Sequence, residues 1–179
     1  MDNQNNQDNQ DSIDNQEEYF FNNLWTLYFH DPYDEQWTPA SYKIQTTIAT
    51  AQDWLQVNMS YSELWAKGMF FLMREDIQPL WEDPANKEGG CFSYKVNKPD
   101  IPAYWLKLGA KLMTDNVAKN PDNNDKICGV SVIPKRNYCI IRIWISHDKY
   151  NNINLFDIEI PEYTTVMYKK HGDNSDFEK

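Results

Sequence analysis

The segment PLWEDPANKEGG, residues 79–90, holds the most informative residues of this 179-residue chain. Its prolines Pro79 and Pro84 are five positions apart and would break either a helix or a strand ladder, so we predict a loop. Trp81 and Glu82 then lie side by side in that loop. A tryptophan in a polar loop is harder to explain as core than one in an alternating strand. We therefore expect a ligand contact here, with an anchoring role under the loop as the alternative.

Strands and helices are predicted on both sides of this loop from the period of the apolar residues. Thr50 is predicted to cap a helix, with Asp53 three residues on, and Asp100 to cap a second helix with Pro102 in its first turn. Strands joined mostly by turns, with two inserted helices, indicate an α+β fold in which an antiparallel sheet has helices on one face. The predicted strands are 24–30, 41–48, 69–74, 90–96, 127–133, 138–145 and 163–168.

The charge is unevenly distributed along the chain. Of the net charge of −10, the first 18 residues account for six acids and hold no lysine or arginine. The rest is mildly acidic, which argues against a broad basic face for DNA but allows a small basic pocket for a short phosphate chain. We predict a disordered, acidic, Asn/Gln-rich tail at 1–18, a single domain at 19–171 and a flexible tail at 172–179.

The apolar stretches and the cysteines bear on the cellular compartment. No apolar stretch approaches the ~20 residues that span a bilayer, and no charged-then-apolar leader opens the chain, so we expect neither membrane insertion nor export. The three cysteines, an odd number, form no CxxC pair. A disulfide framework is therefore not expected, and a reducing compartment is favoured.

Signatures of catalysis and of metal binding do not occur in the sequence. His30, His147 and His171 are widely separated, and none has a His or Cys partner three or four positions on. The patterns GxGxxG, GxxxxGK[ST] and GxSxG are missing as well. We therefore expect no enzyme, no metal and no cofactor.

Two tryptophans in polar loops suggest how a ligand is held. Trp37 follows the turn-forming DPYDEQ run, and Trp81 lies in the segment described above. Two such rings can sandwich a planar ligand, and a positively charged purine gains most, because cation–π attraction adds to stacking. Guanine presents N1–H and N2–H₂ as parallel donors, which a carboxylate such as Glu82 can accept with charge-assisted bonds.

Several motifs in order resemble the eukaryotic translation initiation factor 4E family, whose members bind the 7-methylguanosine cap of messenger RNA. Residues 80–90 are similar to its WEDxxNKxGG signature, and residues 23–29, NLWTLYF, to its NRWxLWF strand. Residues 77–81, IQPLW, resemble its IxPxW stretch, and the spacing from Cys128-Gly129 to Trp144 is also similar. The similarity extends over residues 19–171, and the chain is identified as a divergent member.

The resemblance implies a curved antiparallel sheet with helices on its convex back and the cap in its concave face. Trp37 and Trp81 would stack on the methylated guanine, and Glu82 would accept its N1 and N2 hydrogens. Trp144 would pack against the methyl group. Lys135, which stands where the family has an arginine, would bind phosphate as a point charge.

Two positions depart from the family's phosphate-binding pattern. Ile140 stands where the family has a lysine, and Cys91 where it has a basic residue after the double glycine. Arg142 shares a strand face with Ile140 by period two and could replace the missing charge. Arg136, in the adjoining turn, is a further candidate, with a solvated hairpin charge as the alternative.

The resemblance also implies a second surface, on the back, where a scaffold or repressor helix with a Y-x-x-x-x-L-apolar motif docks. The family's HPL tripeptide corresponds to residues 19–21, and a leucine–glutamate pair becomes Leu106-Lys107, a reversal of charge. The charge reversal therefore leaves two alternatives, a nonstandard partner or weakened docking. This dorsal surface comprises Phe20, Phe21, Trp54, Leu55, Leu106 and Lys107.

The leading hypothesis is a monomeric, cytoplasmic, non-enzymatic factor that binds capped mRNA and acts in translation initiation. A repressor that binds the cap without recruiting the scaffold is the nearest rival within the family. An interaction module that has lost cap binding is a rival of another class, motivated by Cys91 and Ile140. A carbohydrate-binding module leaves Glu82 and Lys135 unexplained, and a nucleotide hydrolase would need a metal-binding carboxylate set.

Overall fold

The computed structural model describes residues 17–172, which form an antiparallel sheet with α-helices on one side. Residues 1–16 and 173–179, which make up most of the two predicted tails, lie outside the described residues. The predicted α+β architecture is confirmed. The elements are β1 Phe20–His30, β2 Lys43–Thr50, α1 Ala51–Tyr61, β3 Met69–Arg74, β4 Gly90–Asn97, α2 Ile101–Met113, β5 Ile127–Pro134, β6 Tyr138–Ile145 and β7 Met167–Lys170.

The described strands join into one curved sheet in the order β2-β1-β3-β5-β6-β4-β7, with every neighbouring pair antiparallel. Side chains alternate between its two faces, as strand geometry requires. In β1, Trp25 and Leu27 enter the large core beneath the helices, whereas Tyr28 faces the other side. In β6, Ile143 joins the helix-side core and Trp144 the opposite cluster. The predicted alternation therefore holds in both strands.

The cap of α1 forms as its sequence predicts. Thr50 Oγ1 accepts a hydrogen bond from Asp53 N at 3.1 Å, and the Asp53 carboxylate accepts from Thr50 N and Ala49 N at 2.9 Å each. These bonds satisfy amide donors that the first turn leaves without helical partners. The bond from Ala49 is the largest influence that holds the pKa of Asp53 below its ordinary value.

The start of α2 differs from the prediction in one respect. The helix begins at Ile101 and contains Pro102 in its first turn, as predicted, but the Asp100 side chain makes no capping hydrogen bond. Asp100 already has helical dihedral angles, φ −85° and ψ −16°, because it ends a 3-10 turn that starts at Lys98. A side chain in helical geometry does not reach back over the first-turn amides as a true N-cap does.

Strand bounds differ from the prediction by more than one residue in three strands. β1 begins at Phe20, four residues early, where it pairs with Thr50 of β2. β2 begins at Lys43, because residues 39–41 form a 3-10 turn closed by hydrogen bonds between Thr38 and Ser41. β7 is 167–170 rather than 163–168, since residues 161–164 close a turn through Thr164 N and Pro161 O.

Within residues 17–172, no helix combines the length and the apolar character needed to cross a bilayer.

Candidate functional site

The sheet face opposite the helices, here called the concave face, has an apolar floor. Buried residues from five strands, together with Tyr42 just before β2, form this floor, and loop residues from 77 to 85 pack against it. The floor matters because the predicted ligand-binding side chains stand at its edges. Its buried members are Tyr28, Tyr42, Phe71, Met73, Cys91, Cys128 and Trp144.

The loop that carries Trp81 and Glu82 is held from inside by two polar residues. Asn86 is fully buried, and its Nδ2 donates to the carbonyl oxygens of Gln78 at 2.9 Å and Leu80 at 2.8 Å. The Asp83 carboxylate accepts from Gln78 N at 2.9 Å and Ala85 N at 2.8 Å. These bonds replace a regular ladder in a segment where the prolines exclude one. Two residues of the WEDxxNKxGG signature, Asp83 and Asn86, thus have a structural role in holding the loop.

The end of this loop requires glycine for reasons of space. A Cβ on Gly89 would lie 1.7 Å from the carbonyl oxygen of Ile145, and one on Gly90 would lie 2.3 Å from the carbonyl oxygen of Lys169. No side chain fits at such distances, so the loop enters β4 only because both positions lack one. This close approach fixes where Trp81 and Glu82 lie relative to β6.

Trp81 and Glu82 are both exposed at the rim of the concave face. Trp81 is 42% exposed, and its ring contacts no other ring in residues 17–172. The Glu82 carboxylate has neither a hydrogen bond nor an ion pair within the same residues. An anchoring role under the loop is therefore not what Trp81 does, because an anchor would be buried.

Trp37 lies on the other rim, where a buried histidine supports it. Trp37 is 53% exposed, and one of its faces stacks on His30 with ring centroids 4.2 Å apart and an interplanar angle of 8°. Nδ1 of His30 is 2.9 Å from the carbonyl oxygen of Asp31, and Nε2 is 2.9 Å from that of Gln36. A neutral imidazole donates to only one of these oxygens, whereas an imidazolium donates to both. In either form the His30 ring contacts both ends of the 31–36 segment that precedes Trp37.

Trp144 forms the buried end of the concave face. It is 5% exposed, and its indole Nε1 donates to Ser131 Oγ at 3.2 Å. The ring of His171 lies against it, with centroids 5.2 Å apart. Burial lowers the pKa of His171 to about 4, with a further contribution from the positive charge of Arg142. His171 is therefore neutral at physiological pH.

Arg142 lies on the concave face two residues before Trp144. It is half-buried, opposite Ser131 on β5 and Ser93 on β4. It makes no hydrogen bond and no ion pair with another side chain in residues 17–172. Its positive charge still acts on its neighbours, because it opposes the rise that burial causes in the pKa of Cys91. A half-buried guanidinium without a side-chain acceptor can bind an anion with charge-assisted hydrogen bonds.

The other candidate phosphate ligands lie at the β5–β6 hairpin. Lys135 and Arg136 are exposed in its turn, which a bond from Lys135 N to the carbonyl oxygen of Tyr138 closes. Ile140 is half-buried, and Cys91 is buried in the floor. Burial raises the pKa of the Cys91 thiol, so it stays uncharged at neutral pH. Neither Ile140 nor Cys91 supplies a charge.

Two residues of this region were missed by the sequence analysis. Tyr42 is buried in the floor and contacts both His30 and Phe71. His30 was considered only as a metal ligand, whereas the structure places it behind Trp37. Period-two alternation in β1 places His30 on the face of Tyr28 and so could have found it. Tyr42 lies outside β2, and its position follows only from the 3-10 turn.

The predicted dorsal surface is partly exposed and partly buried. Phe20 and Leu55 project into solvent, Lys107 is exposed, and Phe21 and Leu106 are half-buried. The prediction that Trp54 belongs to this surface is wrong. Trp54 is only 2% exposed, and its Nε1 donates to the carbonyl oxygen of Leu106 at 3.1 Å. Its ring fills the space above Gly109 and joins α1 to α2, so it cannot meet a partner.

A cavity of about 370 Å³ lies along α2 beside this surface. It is lined by Lys107, Lys111 and Tyr104 of the helix and by Ile158 and Glu159 of the segment before β7. It is a feature of the helix side and not of the concave face. Among residues 17–172, no three His, Cys, Asp or Glu side chains come together where they could hold a metal ion.

A family model and two curated relatives match the sequence. The model described as "Eukaryotic initiation factor 4E" matches residues 20–179. A "Eukaryotic translation initiation factor 4E" from Eremothecium gossypii is 28% identical over 130 residues, which cover 69% of this chain and 60% of that protein. A "Eukaryotic translation initiation factor NCBP" from Oryza sativa subsp. japonica is 31% identical over 117 residues, 59% of this chain and 50% of that protein. The chain thus spans about half to 60% of the length of these relatives.

Two solved structures share the fold. Ascaris suum eIF4E-3 in complex with m7G cap has a TM-score of 0.70 at 21% identity, covering 89% of this chain and 94% of that one. Caenorhabditis elegans eIF4E-3, in complex with the 4E-binding protein Mextli and a cap analog, has a TM-score of 0.72 at 20% identity, covering 89% and 96%.

Proposed function

The chain belongs to the eukaryotic initiation factor 4E family, and on that premise we propose that it binds the 7-methylguanosine cap of mRNA and acts in translation initiation. The observation that carries the proposal is the placement of Trp37 and Trp81. Both are exposed tryptophans on loops at the rim of the concave face, and Glu82 stands beside the second. Two exposed indole rings on loops beside one apolar floor suit a planar ligand.

Stacking on the methylated base is the first part of the proposed mechanism. One face of Trp37 is occupied by His30, so the opposite face is the one that meets the ligand. Trp81 takes the other side of the purine. Methylation at N7 gives the ring a positive charge, which an indole face attracts, adding ~0.5–2 kcal/mol to stacking of ~1–3 kcal/mol per base.

Reading of the guanine edge is the second part. The Glu82 carboxylate has no partner in residues 17–172 and accepts from both N1–H and N2–H₂ of guanine. Adenine has no N1–H, so the same carboxylate rejects it. Trp144 closes the inner end of the pocket next to the methyl group.

Binding of the phosphate chain is the third part. Arg142 is the principal ligand, because it is half-buried on the concave face and has no anionic partner in the described part of the chain. Lys135 and Arg136 lie in the adjoining turn, where they add exposed positive charge. Exposed lysines contribute less than a half-buried guanidinium, because water screens them.

The dorsal surface is proposed to bind a scaffold or repressor protein through a Y-x-x-x-x-L-apolar helix. Leu55 and Phe20 offer exposed apolar side chains, and Lys107 adds a positive charge that an acidic partner residue would complement. The exposed Lys107 also favours the second candidate, a repressor that binds the cap without the scaffold, because it repels a basic partner helix. A pull-down with acidic and basic versions of one peptide separates the two.

The activity proposed is binding without catalysis and without a cofactor, by a monomer in the cytoplasm where mRNA is translated. The test is retention of the purified chain on immobilised 7-methyl-GTP, followed by elution with free 7-methyl-GTP or with GTP at equal concentration. We expect elution by the methylated nucleotide only. Elution by both alike, or failure to be retained, would favour an interaction module that has lost cap binding.

A further inference from the structure

Tyr42 is a buried tyrosine whose ring is enclosed by aromatic side chains of the concave face. It is 8% exposed and lies edge-on to His30, with centroids 5.0 Å apart, and to Phe71, with centroids 5.2 Å apart. The ring of Trp37 is 6.3 Å away. Tyr42 follows the 3-10 turn of residues 39–41 and precedes β2, so backbone on both sides fixes its position.

The hydroxyl of Tyr42 differs from those of the other buried tyrosines. The Tyr28 hydroxyl accepts a hydrogen bond from Gln78 Nε2 at 3.1 Å, and the Tyr94 hydroxyl lies 2.7 Å from that of Tyr104. The Tyr42 hydroxyl has no hydrogen-bond partner in residues 17–172. Among residues 17–172 this hydroxyl is not one of the buried polar atoms that lack a partner, so it reaches the surface of the concave face, where a ligand can accept a hydrogen bond from it.

Two charged residues act on this hydroxyl from different elements. The guanidinium of Arg142, on β6, favours the ionised phenol, and the carboxylate of Glu82, in the 77–90 loop, opposes it. Burial is the dominant influence and raises the pKa of Tyr42, so the phenol stays a neutral O–H donor. Glu82 and Arg142 thus both lie near enough to influence this hydroxyl, and Tyr42 packs in the same concave-face cluster as Trp144, two residues from Arg142 on β6.

We propose that Tyr42 is a phosphate-binding residue of the concave face, whose O–H donates to an oxygen of the phosphate chain that Arg142 also binds. The inference rests on the proposed function and adds a ligand to its phosphate site. A neutral donor beside a guanidinium suits an anionic oxygen that has room for two hydrogen bonds. The Tyr42 hydroxyl would also give the phosphate chain a polar contact, which Cys91 and Ile140 do not supply.

The nature of the acceptor follows from the two neighbours of the hydroxyl. Glu82 and Tyr42 do not bond each other, and the guanine N–H groups that Glu82 accepts cannot accept from Tyr42. Phosphate oxygens are acceptors only, and Arg142 draws them to this position. The remaining acceptor is the carbonyl oxygen of the base, and a ligand series without and with phosphate distinguishes it.

The experiment measures the dissociation constants of 7-methylguanosine, 7-methyl-GMP and 7-methyl-GTP for the wild type and for Tyr42→Phe. This substitution removes the hydroxyl and keeps the ring, so the packing against Phe71 is retained. Tyr33→Phe, the same change at an exposed position of the neighbouring loop, is the control. We expect Tyr42→Phe to weaken both phosphorylated ligands roughly tenfold, as for a lost hydrogen bond to a charged group, and to leave the nucleoside within about twofold.

The double variant Tyr42→Phe with Arg142→Gln tests whether the two residues share one phosphate. We expect it to lose less than the product of the two single losses, because the second residue acts on an oxygen already misplaced. Equal weakening of the nucleoside would assign Tyr42 to the base and overturn the proposal, as would unchanged binding of all three ligands. A wild type that fails to bind 7-methyl-GTP would overturn the proposed function itself and, with it, this role.

Discussion

At the scale of single residues, the chemistry of the concave face depends on side chains that have no partner within the described chain. Glu82, Arg142 and the Tyr42 hydroxyl all have unmet bonding capacity and occupy the same side of the sheet. Each loses hydration when a ligand covers it, so a ligand must return hydrogen bonds of equal quality. In the proposed function, the specificity of the site is therefore polar, and the tryptophans add affinity.

Glu82→Gln should weaken binding of 7-methyl-GTP by about 2 kcal/mol or more. The substituted amide keeps one acceptor but turns N–H donors toward guanine donors, and the charge of the acceptor is lost. Isothermal titration measures the loss. Glu88→Gln, an exposed change at the end of the same loop, is the control and should bind as the wild type does. Unchanged affinity of Glu82→Gln would rule out its assigned role.

His30→Ala should weaken binding through Trp37. Removing the ring takes away the stacked support of the indole and both contacts to the loop carbonyls, so the loop loses its fixed position. We expect a loss of ~1–2 kcal/mol, from one or two hydrogen bonds and a stacking contact. His30→Phe restores the stacking alone and should recover part of the affinity. If both variants bind like the wild type, His30 does not position Trp37.

Residues whose proposed role lies in their own chemistry can be recognised from the sequence. Trp37, Trp81 and Glu82 combine an unusual residue type with a polar loop, and both features can be seen without a structure. Tyr42 and His30 are ordinary core aromatics in sequence. Their proposed roles depend on which side chains from other elements contact them, and one sequence does not show these contacts.

At the scale of elements, the 77–90 loop is the part of the site with the most internal hydrogen bonding. Asn86 spans it by donating to the carbonyls of Gln78 and Leu80, and Asp83 bonds the amides of Gln78 and Ala85. Its rigidity comes from buried polar side chains rather than from a strand ladder. A ligand therefore meets Trp81 and Glu82 in one fixed arrangement, which reduces the entropy lost on binding.

Asn86→Ala should destabilise the fold and weaken ligand binding together. The carbonyl oxygens of Gln78 and Leu80 lose their donor, which costs up to ~1–3 kcal/mol for each group left unpaired, less where water reaches it. Urea unfolding monitored by circular dichroism measures the first effect, and titration with 7-methyl-GTP measures the second. Asn151→Ala, at an exposed position, should change neither. A stable Asn86→Ala with full affinity would show that the loop does not need this residue.

Element boundaries were predicted well where a local rule governs them. The cap of α1 follows from Thr50 and Asp53, which bond each other within one turn. The start of β2 and the position of β7 were shifted, because the turns at 38–41 and 161–164 use hydrogen bonds that alternation of apolar residues does not reveal. Asp100 resembles an N-cap in sequence, but the 3-10 turn that it ends already gives it helical dihedral angles.

At the scale of the whole molecule, strand order was beyond the reach of residue patterns. Alternation assigns each strand an inner and an outer face, but β3 pairs with β5, and β4 lies between β6 and β7. Such pairings join residues far apart in the chain. Only the resemblance to a known family predicted the curved sheet with a concave binding face. The residue patterns alone predicted the α+β class and an antiparallel sheet with helices on one face.

The neutral His171 should make stability depend on pH. Its pKa falls from 6.5 to about 4 on folding, chiefly because of burial and also because of Arg142. The unfolded chain therefore binds more protons between these values, and the free energy of unfolding should decrease as the pH falls from 6.5 towards 4. Above pH 6.5 the residue is neutral in both states, so this loss of stability does not occur.

His171→Gln removes the titrating group and should flatten this part of the pH profile. Thermal or urea unfolding at a series of pH values compares the two proteins. Asp53, whose pKa is lowered, adds its own loss of stability at more acidic pH in both proteins alike and so serves as an internal reference. An identical slope for wild type and variant across this window would show that His171 does not control it.

The central claim, that two exposed tryptophans hold a positively charged purine, is tested most directly by intrinsic tryptophan fluorescence. The chain is titrated with 7-methyl-GTP and, beside it, with unmethylated GTP at the same salt. We predict strong, saturable quenching by the methylated nucleotide and little by GTP, with the quenching reduced in Trp37→Phe and Trp81→Phe. Equal quenching by both nucleotides, or none by either, would contradict the account and leave a family fold without its cap chemistry.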